Sequence, residues 1–439
     1  MELLSNRVKP LYLRYLTSAF GSALISSIYG MVDMAMVGQY QGPNGTAALA
    51  VVAPVWNIIY SLGLLMGIGG SVLLSTARGR GESEEGNRCF TASLIGSALL
   101  AVIAWAGLLA FEAPVLRFFG ADDTLLPLAR DYLKPIMIVL PLFLFNQMLA
   151  AFLRNDGSPA LATVSVLSGG IFNVFGDYFF VFICDMGIYG AGLATAIGSG
   201  ISFVVMLTHF KSSKNTLRLV RVDRLAGRLR DITVNGFSGF FIDVAMGILT
   251  VLFNRQIMRY LDSNALAVYG PIINISTFVQ CCAYSVGQAA QPIISVAYGA
   301  KRGDRIRETL RLSLWASAFF AVFWTALSLA CPNLYIRIFM TPTQEILQMA
   351  PAVIRAYATS FLLLPLNIFS TYYFQAIMRP REAFVVSVLR GLVISGALIT
   401  LLPQTAGADS VWLAMPITEL IVAVYAACLM RRDTARLPG

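Results

Sequence analysis

The chain has 439 residues, of which 57% are hydrophobic and only 13% charged, with a mean hydropathy of +0.72 and a formal net charge of +9. Ordinary soluble domains are about 45–50% apolar and about 25% charged, so this composition excludes a soluble globular protein. Because a transmembrane helix needs about 20 apolar residues, the hydrophobic content suffices for roughly twelve spans, and we predict an all-α membrane protein.

Apolar runs bounded by charged residues, glycine and proline mark the candidate spans in chain order. The sequence predicts twelve, at residues 14–38, 49–76, 89–111, 131–153, 160–183, 188–210, 232–258, 265–297, 310–331, 351–378, 383–403 and 410–430. The first span follows Arg7 and Lys9 without a small-residue cleavage pattern, so we expect no removable signal peptide. The most basic loop separates six spans from six, which predicts an N-lobe at 1–210, a linker at 211–231, a C-lobe at 232–430 and a tail at 431–439.

The distribution of basic residues predicts the orientation of these spans. Of the 32 Lys and Arg residues, 24 lie at the two termini and in alternate loops, all on one side of the membrane. Cytoplasmic loops carry such an excess of positive charge, so we expect both termini in the cytoplasm. The net charge is therefore a topology signal, and we expect no nucleic-acid partner.

The two halves of the chain contain an internal repeat. Ala48–Pro54 matches Ala265–Pro271 in five of seven positions at an offset of 217. Two further pairs align at offsets of 220 and 221, namely Ser75–Gly79 with Ser295–Gly299 and Pro159 with Pro380. Because six helices separate corresponding elements, both halves enter the membrane in the same direction. Parallel repeats of this kind are typical of transporter folds.

Ionisable residues inside spans are few and costly, so they are candidates for functional groups. Asp33 lies in the first predicted span, and Asp177 lies in the fifth, one helical turn after Asn173 on the same face. Thr195 follows in the sixth. Their oxygens suit a small hard cation, and two neighbouring carboxylates also hold a proton readily. The alternative is that backbone or arginine partners satisfy each aspartate separately.

Other polar residues within the spans are weaker candidates. Asp243 and Glu419, in the seventh and twelfth spans, are candidates for a second ion or substrate site. Glu419 alternatively forms a buried structural ion pair with Arg390 of the eleventh span. Five further residues are candidates for lining a cavity that binds a bulky amphipathic cation: Tyr29, Met31, Asn57, Asn146 and Gln147. The alternative is that they serve only in packing and interhelical hydrogen bonding.

Sequence motifs of the common enzyme classes are absent. His209 is the only histidine, and neither an H-E-x-x-H motif nor a G-x-x-x-x-G-K-[ST] loop occurs. This argues against a catalytic triad, a zinc protease and a Walker-type ATPase. We therefore expect no enzymatic activity and no cofactor, with any uphill transport driven by an ion gradient.

A series of segments along the whole chain resembles one known family. They are Val32–Gly38, Arg154–Pro159, Asn173 with Asp177, Gly187–Thr195, Gly299–Gly303, Met378–Arg381 and Val411–Pro416. In this order they resemble the MATE (multidrug and toxic compound extrusion) transporters, within the bacterial MepA-like branch.

The resemblance implies two six-helix lobes around a V-shaped cavity. It also implies a monomer in the bacterial plasma membrane that exports cationic or amphipathic drugs in exchange for Na⁺ or H⁺. The family's N-lobe cation site falls on Asp33, Asn173, Asp177 and Thr195, and Asp243 resembles an acid on the seventh helix of some members. A lipid-linked oligosaccharide flippase, an exporter of one specific metabolite and a passive channel stay open as alternatives.

Overall fold

The computed structural model describes residues 2–339 and 342–437 of a helical membrane protein. It contains twelve helices that are long and apolar enough to cross a membrane: α1 Val8–Gly42, α2 Asn44–Gly79, α3 Ser83–Phe118, α4 Leu125–Asn155, α5 Pro159–Ile183, α6 Gly187–Lys211, α7 Leu225–Tyr260, α8 Asn264–Gly299, α9 Gly303–Ala330, α10 Gln344–Ala376, α11 Pro380–Thr405 and α12 Ala408–Ala435. This confirms the predicted all-α architecture of twelve spans.

Most helices extend beyond their predicted apolar runs. The second was predicted at 49–76 and α2 covers Asn44–Gly79, while the ninth was predicted from 310 and α9 begins at Gly303. A helix satisfies its own backbone hydrogen bonds both inside the membrane and at its surface, so hydropathy marks only the central part. Gly42 separates α1 from α2, because its backbone angles, φ 65° and ψ −154°, are not helical. Essentially only glycine adopts this combination of backbone angles.

The chain folds into two compact units. The first comprises Thr17–Phe240 together with the first residues through Leu3, and the second comprises Leu4–Leu16 and the chain from Phe241 onward. The predicted lobes met in the linker at 211–231, whereas the boundary between the units falls inside α7. Residues 232–240, which were assigned to the C-lobe, therefore pack with the first unit.

The internal repeat is visible in the geometry of the turns. A residue with positive φ follows the end of each of four helices. Gly81 after α2 corresponds to Lys301 after α8 at an offset of 220, and Gly157 after α4 corresponds to Met378 after α10 at an offset of 221. In all four turns the amide of the next residue donates to the carbonyl five positions earlier. This is the Schellman pattern of helix termination. The turns thus repeat at the offsets found in the sequence.

A buried charge cluster in the first unit holds the basic linker that follows α6. Asp156 accepts hydrogen bonds from Arg78 at 2.6 Å and from the Thr216 amide at 3.0 Å, and it contacts Nε2 of His209 at 2.6 Å. Burial raises the pKa of Asp156, but the hydrogen bond with His209 and the charge of Arg78 outweigh it and hold the pKa below its usual value. His209 is fully buried in this cluster.

Asp156→Asn is expected to loosen this linker. The change leaves the buried Arg78 without its counter-ion, which costs about 3 kcal/mol or more in other proteins. Trypsin should then cleave the linker faster at neutral pH, at Lys211, Lys214 and the arginines beyond, as followed by gel electrophoresis. Because the pKa of Asp156 is lowered by folding, its stabilisation is present above the ordinary carboxyl pKa. That stabilisation is lost only as the pH falls through the folded value.

The matched control is Asp223→Asn, which removes an exposed carboxylate from the same linker. Exposed ion pairs contribute about 0–1 kcal/mol, so its digestion should follow the parent protein. Equal cleavage of both variants would show that Asp156 does not anchor the linker.

Candidate functional site

Asp33 lies in the second half of α1 and is almost fully buried. Its side chain is 8% exposed, and its Oδ2 accepts a hydrogen bond of 2.7 Å from the hydroxyl of Tyr132 on α4. Its Oδ1 is buried and has no hydrogen-bond partner among the residues that the structure describes. Tyr132 was not among the predicted site residues, because the charged residues around it, Arg130, Asp131 and Lys134, are typical of the end of a span.

Asn173, Asp177 and Thr195 meet where α5 and α6 pack together. The Asn173 amide donates to the Thr195 hydroxyl at 3.1 Å and, over a longer 3.5 Å, to Oδ1 of Asp177. Asp177 is fully buried and Asn173 almost so. The second oxygen of Asp177 and the carbonyl oxygen of Asn173 are buried without partners in the described part of the chain. The predicted one-turn stacking of amide on carboxylate is therefore present.

Asp33 belongs to the same group as these three residues. It interacts electrostatically with Asp177, and Tyr132, which donates a hydrogen bond to Asp33, also interacts with Thr195. Unpaired buried polar atoms cost free energy, and two buried carboxylates repel each other when both are ionised. A proton or a small cation shared among the three unpartnered oxygens would remove both costs. The group therefore has the chemistry of a cation-binding site.

Glycine residues allow the close helix packing that forms this group. Gly169 on α5 and Gly198 on α6 face each other so closely that a Cβ on either would lie 2.5–2.7 Å from the other's carbonyl oxygen. Asn173 lies one turn after Gly169, and Thr195 lies one turn before Gly198. A Cβ on Gly192 would similarly lie 2.2 Å from the Tyr132 carbonyl oxygen, which sets α6 against α4.

A π-helical segment follows the site on α5. It spans Tyr178–Ile183, directly after Asp177, and a second π segment at Leu389–Val393 of α11 contains Arg390. Isolated π-helical turns occur frequently at functional sites. The two segments lie in the fifth and eleventh helices, which correspond to each other in the repeat, and each adjoins a buried charged residue.

The five residues of the predicted substrate cavity have different environments. Tyr29 packs against Gly170 and interacts electrostatically with Asp33, while Met31 and Asn57 are exposed and Gln147 lies against Gly63 of α2. Asn146 is buried and donates hydrogen bonds of 3.0 Å to the carbonyl and hydroxyl of Ser199. For Asn146 the contacts are those of an interhelical hydrogen bond between α4 and α6. Lining of a substrate cavity stays a prediction for all five residues.

The acids of the second unit are paired differently from those of the first. Glu419 is fully buried, its Oε1 accepts from Arg390 at 2.8 Å, and its Oε2 accepts from Asn367 at 2.6 Å. Both carboxylate oxygens are thus occupied, which is the geometry of the structural ion pair. Asp243 is half-buried and accepts a hydrogen bond of 3.3 Å from Tyr284. An ion or substrate role for either acid stays a prediction.

Comparison with known proteins identifies relatives of the whole chain. The family model MatE matches residues 18–179 and 237–402. The multidrug export protein MepA of Staphylococcus aureus strain MSSA476 is 23% identical over 375 residues, covering 84% of this chain and 82% of that protein. MepA of Staphylococcus haemolyticus is 23% identical over 407 residues, covering 92% and 89%.

Solved structures share the fold over nearly the whole chain. One is an outward-facing multidrug resistance MATE family transporter of the MOP superfamily, with a TM-score of 0.91, 19% identity and coverage of 99% of this chain and 98% of that one. Another is a MOP superfamily transporter from Pyrococcus furiosus, with a TM-score of 0.92, 18% identity and the same coverage. Its description reports a binding pocket of reversed polarity that suggests a different function.

Proposed function

Because the chain belongs to the MatE family, whose members are transporters, we propose that it exports cationic or amphipathic organic compounds in exchange for Na⁺ or H⁺. The protein is a multi-pass membrane protein. The proposal places both termini in the cytoplasm and the protein in a bacterial plasma membrane as a monomer.

One observation carries the proposal for the coupling ion. Asp33, Asn173 and Asp177 present three buried oxygens without partners in one part of the first unit. A small cation or a proton binds such a group because it neutralises the carboxylates and completes their coordination. An ion drives a conformational change only when it binds one state more strongly than the other. We infer that occupation of this site differs between the inward-open and outward-open states.

The pairing of the acids supports a cationic cargo over an anionic one. Asp33 and Asp177 of the first unit have no arginine or lysine partner among the described residues, whereas Glu419 of the second unit is neutralised by Arg390. A lipid-linked oligosaccharide carries pyrophosphate, which requires basic groups. The geometry therefore favours drug export over a flippase.

Transport in liposomes tests this function directly. Liposomes containing the purified protein are loaded with a fluorescent lipophilic cation, and an inward Na⁺ gradient and an inward proton gradient are imposed in separate experiments. We expect fluorescence loss under one of the two gradients, which identifies the coupling ion. Liposomes without protein give the background rate. Efflux that follows only the membrane potential would indicate a channel, and no response to either gradient would contradict antiport of such cations.

A further inference from the structure

A cavity lies on the first unit, between helices α3, α4 and α6. Its volume is about 740 Å³, within the range of roughly 300–1,000 Å³ that is usual for ligand sites. Its walls are aliphatic and aromatic, with four phenylalanine side chains at Phe90, Phe145, Phe203 and Phe210. The two polar residues in the lining, Asn215 and Arg218, both come from the linker that follows α6. We call this cavity the lateral groove.

The linker is held in place at the end of the lateral groove. The amides of three alternate residues, Thr216, Arg218 and Val220, donate hydrogen bonds to the side chains of the first unit. Their acceptors are Asp156 at 3.0 Å, Asn87 at 3.3 Å and Thr91 at 3.1 Å. The backbone of Arg218 is therefore fixed at a position where this residue lines the lateral groove.

Arg218 is a basic residue without an internal counter-charge. Its side chain is exposed, and no carboxylate lies within ion-pair distance of it in the part of the chain that the structure describes. Four further exposed basic residues lie between positions 211 and 224, against the single carboxylate of Asp223: Lys211, Lys214, Arg221 and Arg224. The end of the groove thus attracts a negatively charged group.

The sides of the lateral groove are formed by surfaces that contact lipid. On α3 the residues beyond the lining, Val102 and Ile103, are 59% and 67% exposed, and on α6 Val204 is 63% exposed. In a spanning helix, such apolar residues face hydrocarbon chains rather than water. The groove is therefore accessible from the bilayer. Its charged end is on the predicted cytoplasmic side, where anionic lipids attract basic segments.

We propose that the lateral groove binds an anionic phospholipid, with an acyl chain between α3, α4 and α6 and the phosphate on Arg218. The apolar walls match the acyl chain, and the basic linker matches the headgroup. The inference goes beyond the transport function, since it assigns a ligand to a part of the first unit that does not contain the Asp33 group.

Photolabelling tests the proposal without a transport measurement. The full-length protein is placed in phosphatidylcholine nanodiscs that contain phosphatidylglycerol with a diazirine on its acyl chain, and labelled peptides are identified by mass spectrometry. We expect labels on α3 and α6 at the groove. Phosphatidylcholine with the same diazirine should label these positions much less.

Two variants with matched controls locate the lipid. Arg218→Gln is expected to lower labelling about fivefold relative to Arg221→Gln. The control variant removes the same charge from the linker at a position outside the groove. A factor of about five corresponds to about 1 kcal/mol, the contribution of one basic residue near an anionic membrane surface. Ala98→Phe fills the groove from an exposed position and should remove the label. Val102→Phe, one turn further along α3 and outside the lining, should keep it.

Three outcomes would overturn the proposal. Equal labelling of Arg218→Gln and Arg221→Gln would show that Arg218 does not bind the phosphate. Equal labelling of Ala98→Phe and Val102→Phe would place the lipid elsewhere. Displacement of the label by an excess of a lipophilic cation would assign the groove to exported cargo.

Discussion

Asp33→Asn is expected to abolish ion-driven efflux, and Asp177→Asn is expected to do the same. Each change removes one of the two carboxylates of the proposed cation site. The coupling free energy between two ligands of one protein is typically about 1–3 kcal/mol, which changes the affinity for each ligand roughly 5–150-fold. Each variant should lose the whole of this coupling between ion and cargo. Efflux of a fluorescent cation from liposomes under the effective gradient gives the measurement.

Binding of the cargo separates a coupling defect from misfolding. Both variants should insert into liposomes and bind the fluorescent cation in the absence of a gradient. Asp123→Asn is the control, since it removes an exposed carboxylate that pairs with Arg117 on the surface of the same unit. Its efflux should match the parent protein. Normal gradient-driven efflux by both Asp33→Asn and Asp177→Asn would show that the ion binds elsewhere.

Arg390→Met is expected to destabilise the second unit strongly. It leaves the carboxylate of Glu419 fully buried without its positive partner, and breaking a buried ion pair in this way costs about 3–5 kcal/mol. The variant should unfold at a clearly lower temperature in detergent, as followed by tryptophan fluorescence.

The double variant Arg390→Met/Glu419→Leu separates a structural role from a functional one. Replacing both members of a buried pair by apolar residues is often neutral, so the double variant should recover most of the thermal stability. Glu345→Gln, at an exposed position in the same unit, controls for loss of a carboxylate. If Arg390→Met keeps its stability but loses transport, the pair is part of an ion or substrate site and the structural interpretation is wrong.

The architecture was predictable because hydropathy, charge distribution and internal repetition can all be read directly from the order of residues in the chain. The twelve spans follow from apolar runs, and the repeat follows from short matches that reappear as equivalent turns at Gly81 and Lys301. The positions of helix ends were less predictable, because charged residues at the membrane surface continue the helix. The boundary inside α7 was not predictable, since it depends on which residues pack together.

The candidate site was predictable only in part. Their position inside spans singled out Asp33 and Asp177, and spacing paired Asn173 with Asp177. The assignment of these residues and Thr195 to one cation site rested mainly on family resemblance. Tyr132 was missed because contacts between distant helices leave no local pattern. The backbone approach of Gly169 to Gly198, which brings Asn173 to Thr195, leaves only isolated glycines in the sequence.

The break between α1 and α2 limits how the protein can be engineered. Gly42 has backbone angles that only glycine adopts readily, and helix continues on both sides of it, so there is no connecting loop in which an inserted epitope or fluorescent domain would be accommodated. The segment between α3 and α4, from Phe119 to Thr124, is free of regular helix. A reporter of membrane sidedness therefore belongs there, opposite the predicted cytoplasmic face, and not at the first turn.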